Sequence, residues 1–408
     1  MYDKVSHMEP MFPERASELE DMAREIVARS ALLGGQLHPL SQRPVVDLLR
    51  IINSYYSNLI EGHSTHPVEI ERAMHQNYSA DPAKRDLQIE SLIHIDCQRR
   101  IEERLRQEPD LNIAGADFLC WVHEIFYNQL PVELRRVKDE QTGEVLEVIG
   151  GKPRTREIRV GLHIGPLAEK VPAFLDRFAT AYQSNAHHGL APIIATAASH
   201  HRLMWIHPFL DGNGRVARLY TDACFRKLPV IGYGLWNVSR GLARRRDDYM
   251  AALTQADAPR RNDYDGRGNL SNEGLLMFCR FFLDTCLDQI DYMNGLLKLD
   301  ALLERIQGYV RMRANRMIPA PKEGLPTLKP EAAYMLQEAL LRGEVSRGDM
   351  IRVSGMAERT GRTVLGQLLV EGLLASDMPK GPVRLAFPTF VAGYLFPALY
   401  PAPVENIG

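Results

Sequence analysis

"HPFLDGNGRVAR", residues 207–218, gathers one imidazole, one carboxylate, a Gly-Asn-Gly turn and two guanidiniums within twelve positions. Glycines at 212 and 214 permit positive φ and let the main chain approach a ligand closely. A helix opening near Arg215 turns its first N–H groups and the positive end of its dipole to the same place. Gly212, Asn213 and Gly214 therefore read as an anion nest suited to a polyphosphate. Arg215 and Arg218 are three apart, neighbours on one helix face, and can meet phosphate oxygens bidentately. Asp211, just ahead of the nest, suits Mg²⁺, which takes one or two carboxylates plus phosphate oxygens. His207 stands at the mouth of the loop, where a positioned imidazole contributes about 10²–10⁴ in rate as a general base. No lysine completes a GxxxxGK[ST] pattern, so a P-loop nucleotidase is disfavoured. Each residue alone suits a plain helix–helix connection; the combination points to phosphate chemistry.

Working outward, most of the chain has helical period. "PVVDLLRIINSYYSNLIEG" (44–62) carries apolar residues at Val46, Leu49, Ile52, Tyr56, Leu59 and Ile60 and stops on Gly62. Similar runs precede and follow it, among them "DLQIESLIHIDCQRRIEERLRQ", "LAPIIATAASHHRLMWI" and "NEGLLMFCRFFLDTCLDQIDYMNGLLKLDALLERIQGYV". Two stretches break the pattern. "TGEVLEVIGGKPRTREIRVGLHIGP" (142–166) alternates apolar and polar residues about Gly150-Gly151 and reads as a β-hairpin. "IPAPKEGLPTLKP" (318–330), with four prolines, reads as a linker. Beyond it the order helix, short helix, helix, hairpin is that of a winged helix-turn-helix. The expected fold is mainly α, with a small β-hairpin flap and a C-terminal winged helix. Its divisions are a helical region over 1–110, a core over 111–317, the linker, and a winged-helix domain over 331–408.

Composition narrows the function classes. The chain has 408 residues, room for two or three domains at roughly 150 each. Its 49 basic and 51 acidic side chains nearly cancel, so no global field points to nucleic acid or membrane. The five cysteines (97, 120, 224, 279, 286) have no metal or redox spacing and read as reduced thiols. With no signal-like N-terminus, and "APIIATAA" (191–198) far too short to span a bilayer, a soluble cytoplasmic protein with no membrane partner is expected.

The central stretch resembles the Fic family signature HxFx[D/E]GNGRxxR, filled at His207, Phe209, Asp211, Gly212, Asn213, Gly214, Arg215 and Arg218. The resemblance spans roughly residues 40–300 in order of elements. It implies a helical Fic core that transfers AMP from ATP to a Ser, Thr or Tyr hydroxyl of a target protein, releasing pyrophosphate. In such proteins the His is the base and the acidic residue binds Mg²⁺. The Asn, the loop amides and the first Arg hold the α- and β-phosphates, and the second Arg reaches the γ-phosphate. The hairpin then resembles the family's flap, where a target segment docks by strand addition. Phosphate-transferring relatives replace the GNG turn, which is intact here.

"SNLIEG", Ser57 to Gly62, resembles the family's inhibitory motif [S/T]xxxE[G/N]. It implies that Glu61, supported by Ser57, pairs with Arg218 and competes with ATP. Tyr249, on a helical stretch after the signature, is a candidate adenine contact, against the commoner reading of core packing. Residues 331–408 hold seven Arg and Lys against eight Asp and Glu, unlike the basic face of most DNA-binding domains, although Arg359 and Arg362 open the expected recognition helix. The sequence leaves self-modification, homodimer formation and DNA binding open. The alternatives to AMP transfer are an ATP-sensing winged-helix regulator and a Fic enzyme acting mainly in AMP removal.

Overall fold

The computed structural model describes residues 2–14, 16–138, 143–161, 163–322 and 324–401. Thr142 and Leu162 of the expected flap, Glu323 of the linker and residues 402–408 lie outside them. The chain is mainly helical. It opens with α1 (Ser17–Gly34), α2 (Pro39–Ile60), α3 (Pro67–Met74), α4 (Pro82–Gln107) and α5 (Ala116–Tyr127). Two short hairpins follow, β1 (Arg136–Lys138) with β2 (Val145–Glu147), and β3 (Arg159–Val160) with β4 (His163–Ile164). Then come α6 (Val171–Tyr182), α7 (Ala191–Ile206), α8 (Asn213–Lys227), α9 (Val238–Arg244), α10 (Arg246–Ala256), α11 (Asn272–Leu297) and α12 (Leu299–Ala314). The last unit is α13 (Ala332–Arg342), β5 (Glu344–Val345), α14 (Arg347–Val353), α15 (Glu358–Val370), β6 (Leu374–Ala375), β7 (Val383–Leu385) and α16 (Thr389–Leu395), its strands ordered β5-β7-β6.

Helix starts follow local chemistry. Proline at the first position of α2 and of α4 costs no hydrogen bond there, and the side chains of His38 and Asp81 cap the exposed N–H groups. Helix α7 is buried nearly all round, its polar Ser199, His200, His201 and Arg202 included, and sits in the middle of the body. It packs against α8 and α11 and carries the signature loop at its C-terminal end.

The hairpin departs from expectation. Its first half pairs Val137 with Leu146 and so begins upstream of residue 142, and a second two-stranded piece pairs Val160 with His163. Gly150 and Gly151 are not the turn between paired strands. They lie against α5: a Cβ on Gly150 would stand 2.4 Å from the Asn128 side chain, and Gly151 (φ +75°) donates its N–H to His123 at 2.9 Å. The glycines form a tight turn, closed by the Lys152 N–H to the Ile149 carbonyl at 3.2 Å, that lies against α5 and does not join paired strands.

The last unit folds back on the N-terminal helices. Ser41 of α2 donates to the Leu340 carbonyl at 2.7 Å, Tyr56 to that of Leu399 at 3.1 Å, and Arg240 to that of Ala398 at 3.0 Å. Arg313 of α12 forms a fully buried ion pair with Glu371 at the end of α15.

Candidate active site

Helix α7 ends on His207 in the left-handed region (φ +49°), a conformation that a non-glycine residue holds only when its surroundings impose it. Arg154 is the main imposing group. Its buried guanidinium donates to the carbonyls of His207 at 2.8 Å, Arg156 at 2.8 Å and Pro166 at 2.6 Å, while its own N–H meets the Pro208 carbonyl at 2.8 Å. The loop is braced from within by Asn213, whose side chain takes the Phe209 N–H and gives to the Phe209 carbonyl, both at 2.9 Å. That side chain therefore supports the turn. Phe209 itself is fully buried, stacked on His123.

Gly212 (φ +79°) precedes α8, and a Cβ there would lie 2.6 Å from the Tyr127 ring. The Tyr127 hydroxyl donates to Asp211 Oδ2 at 2.7 Å. A Cβ on Gly214 would fall 2.3 Å from a Glu61 carboxylate oxygen. Gly212 thus needs to be glycine for both its φ and its space, whereas at Gly214 a side chain would meet the movable end of Glu61.

Arg215 and Arg218, on the first turns of α8, are each engaged by a carboxylate from the N-terminal helices. Arg218 donates to Glu61 Oε1 at 2.5 Å, to the Ser57 hydroxyl at 2.9 Å and to the Ser57 carbonyl at 3.0 Å. Arg215 pairs with Glu90 of α4, which also holds the His63 ring at 2.8 Å. Burial pushes the Glu61 carboxyl up, but the Arg218 and Arg215 guanidiniums outweigh it and leave it below the usual glutamate value. Burial pulls the His207 imidazole down to about 4, helped by the positive groups of His163 and Arg154. At neutral pH it is an unprotonated ring, able to accept a proton.

His207 and Leu210 face a cleft of about 480 Å³ whose other wall is formed by Val137 and Leu146 of the first hairpin and by residues 156–161 leading into the second. The groups forecast around residues 57–61 and 207–218 thus come together. Tyr249 is 1% exposed, with its hydroxyl 2.7 Å from the His200 ring and beside the Arg218 guanidinium, so it borders the Arg218–Glu61 pair from the core side. Sequence reading missed Arg154, Glu90, Tyr127 and His123. Arg154 is one basic residue in "KPRTREIR", and Glu90 one polar residue on a helix whose buried face also carries Gln88, Ser91, His94 and Gln98. A polar buried face gives no periodic signal.

Residues 117–224 match the Fic/DOC family. A protein adenylyltransferase Fic of Nematostella vectensis is 29% identical over 181 residues, which is 43% of this chain and 38% of that protein. One from Drosophila mojavensis is 38% identical over 126 residues, 29% of this chain and 25% of that one. The chain therefore spans well under half the length of these curated relatives. Among solved structures, Fic-1 from C. elegans superposes with a TM-score of 0.53 at 17% identity, over 69% of this chain and 74% of that one. A Fic-domain signalling protein from Bacteroides thetaiotaomicron gives 0.50 at 18%, over 68% and 97%. At these identities the structural likeness speaks to fold. The sequence match to the Fic/DOC family encloses the whole signature, residues 207–218.

Proposed function

We propose that this chain is a protein adenylyltransferase that moves AMP from ATP to a hydroxyl of a target protein, held in check by Glu61. The observation that carries the reading is the neutral His207 imidazole, placed between the flap cleft and the nest with its two arginines. A target segment lies along the flap and brings its hydroxyl to His207. The ring takes the hydroxyl proton as the oxygen attacks the α-phosphorus. The bond from that phosphorus to the bridging oxygen breaks, and pyrophosphate leaves. The N–H groups opening α8 and the guanidiniums of Arg215 and Arg218 face the charge that builds on the phosphates.

A lone carboxylate beside a phosphate nest fits Mg²⁺, and Asp211, fixed by the Tyr127 hydroxyl, would hold it. When bound, the ion supplies charge neutralisation on the phosphates. Glu61 opposes the reaction by occupying Arg218, so the pair must open before the γ-phosphate gains that contact. For residues 331–401 we read a winged helix that meets protein rather than DNA, since Arg362 is engaged by Glu358 and the unit has no net positive charge.

The test is incubation of wild type, Glu61→Gly and His207→Ala with Mg²⁺ and ATP labelled on the α- or the γ-phosphate. Bound α-label that is strong in Glu61→Gly, weak in wild type and absent in His207→Ala is expected. Equal labelling of Glu61→Gly and wild type would sink the brake. Bound γ-label would mean phosphate transfer. ATP binding without label of either kind would favour the nucleotide-sensing regulator.

A further inference from the structure

Arg215 and Arg218 of α8 face carboxylates of different kinds. Glu61 follows the last turn of α2 and precedes Gly62 (φ +88°), and its side chain is 31% exposed. It can swing into solvent by turning a few main-chain angles. Glu90 lies inside α4 with its side chain 7% exposed, one oxygen on Arg215 and the other 2.8 Å from His63. It has no solvent to swing into, and leaving Arg215 would strand a charge among buried groups.

The Arg215 guanidinium also lies 5.4 Å from the Phe126 ring centre, and the side chain is fixed by packing as well as charge. Its Nε, buried, has no hydrogen-bond partner among the described residues. One edge of the guanidinium is thus taken by Glu90 while another donor is left over beside the nest. This is the state expected of a group aimed at a ligand oxygen.

We propose that Glu90 is a positioning residue for Arg215: it fixes the guanidinium so that Nε and the face toward the nest address the leaving phosphates, with His63 holding its second oxygen. This rests on the adenylyltransferase reading and deepens it. The two carboxylates then act in opposite senses on one helix, Glu61 as a releasable competitor and Glu90 as a fixed support. Arginine keeps its charge in any case, so loss of Glu90 leaves the attraction for ATP in place. What is lost is direction, and direction counts most where charge builds on the departing pyrophosphate. A change confined to the transition state lowers kcat and leaves KM.

The experiment uses the full chain carrying Glu61→Gly, with α-labelled ATP as the probe. Adding Glu90→Gln is expected to lower kcat about 10- to 100-fold, with KM for Mg-ATP within about twofold of the parent. Adding Glu90→Asp, which keeps the charge but shortens the reach, is expected to lower kcat less. Melting temperature is followed throughout. Unchanged kcat per folded molecule in Glu90→Gln would reduce Glu90 to a structural ion pair and overturn the proposal. So would activation by Glu90→Gln in the chain that retains Glu61, since Glu90 would then be a second brake. Where Glu90→Gln does not fold, a Glu90→Asp chain with the parent's kcat overturns it equally. No α-label in the Glu61→Gly parent would be the failure of the adenylyltransferase reading itself.

Discussion

The cleft beside His207 has two walls built in different ways. The signature loop, residues 207–218, is largely buried, braced by its own Asn213 and crowded so tightly against Tyr127 that glycine is required at 212. The flap opposite consists of strands two or three residues long, with Val160 51% exposed and Ile164 45% exposed. On the proposed function the loop carries the reacting groups, held by hydrogen bonds from Asn213 and Arg154. The flap offers main-chain edges, and its side chains are mostly in solvent. A side chain changed in the loop should therefore cost orders of magnitude, and one changed in the flap very little.

The largest effect is expected at His207. His207→Ala should lower α-label transfer in the Glu61→Gly background by about 10²–10⁴, the usual worth of a positioned base. Its pH dependence sharpens the point. The folded imidazole titrates near 4, so it is an unprotonated base above that value, and kcat should stay flat from pH 8 to about 5 and fall as pH drops through 4. Stability runs out sooner. Burial also pulls His123 to about 4 and His94 and His200 to about 3, so the unfolded chain binds more protons than the folded one between these values and the ordinary 6.5. Folding stability then rises with pH across that window and declines on acidification below about 6.5. Thermal melts beside the kinetics separate the two; a kcat inflection near 6.5 in protein that is still folded would show that another group is the base.

The same contrast governs what could be read from the sequence. The loop was legible because its requirements are local: positive φ, small size, a helix N-terminus and fixed spacing, all within twelve residues. Glu61 was legible through one short motif 146 positions upstream of His207. The helices were legible from period and caps, though the run after residue 272 breaks at Lys298 into α11 and α12. The flap's register was not, because two- and three-residue strands have no alternation long enough to fix pairing, and the Gly150-Gly151 turn packs on α5 instead of joining paired strands. Arg154 and Glu90 were invisible for a related reason. Each acts through contacts that form mainly across the fold, and a lone charged residue in sequence reads as solvated.

Arg154 joins the two walls, so it tests whether they are independent. Replacing it with Met leaves the carbonyls of His207, Arg156 and Pro166 without their donor in a buried setting, at a cost of about 1–3 kcal/mol for each group that finds no water. With its clasp gone, His207 can relax out of the left-handed region, and kcat should fall about tenfold. Arg154→Lys should recover little, because an ammonium on a flexible stem lacks the planar fork that reaches three carbonyls. Melting temperature and α-label transfer measured on both variants check this. Full activity in Arg154→Met would mean that the loop holds its own shape.

The smallest effect should come from Val160→Thr, which keeps the shape of a half-exposed flap side chain lining the cleft and changes only its polarity. Strand addition draws its affinity from main-chain hydrogen bonds, which this substitution leaves in place. Exposed surface substitutions of this kind usually stay within about 0.5 kcal/mol, so transfer to a protein target should change by no more than about twofold. The measurement is kcat/KM for one protein substrate, or the rate of self-labelling, in the Glu61→Gly background. A loss of tenfold or more would mean that the flap reads target side chains at Val160. The two walls would then differ in what they recognise rather than in how much they discriminate, and the exposed valine would be a specificity contact instead of an incidental one.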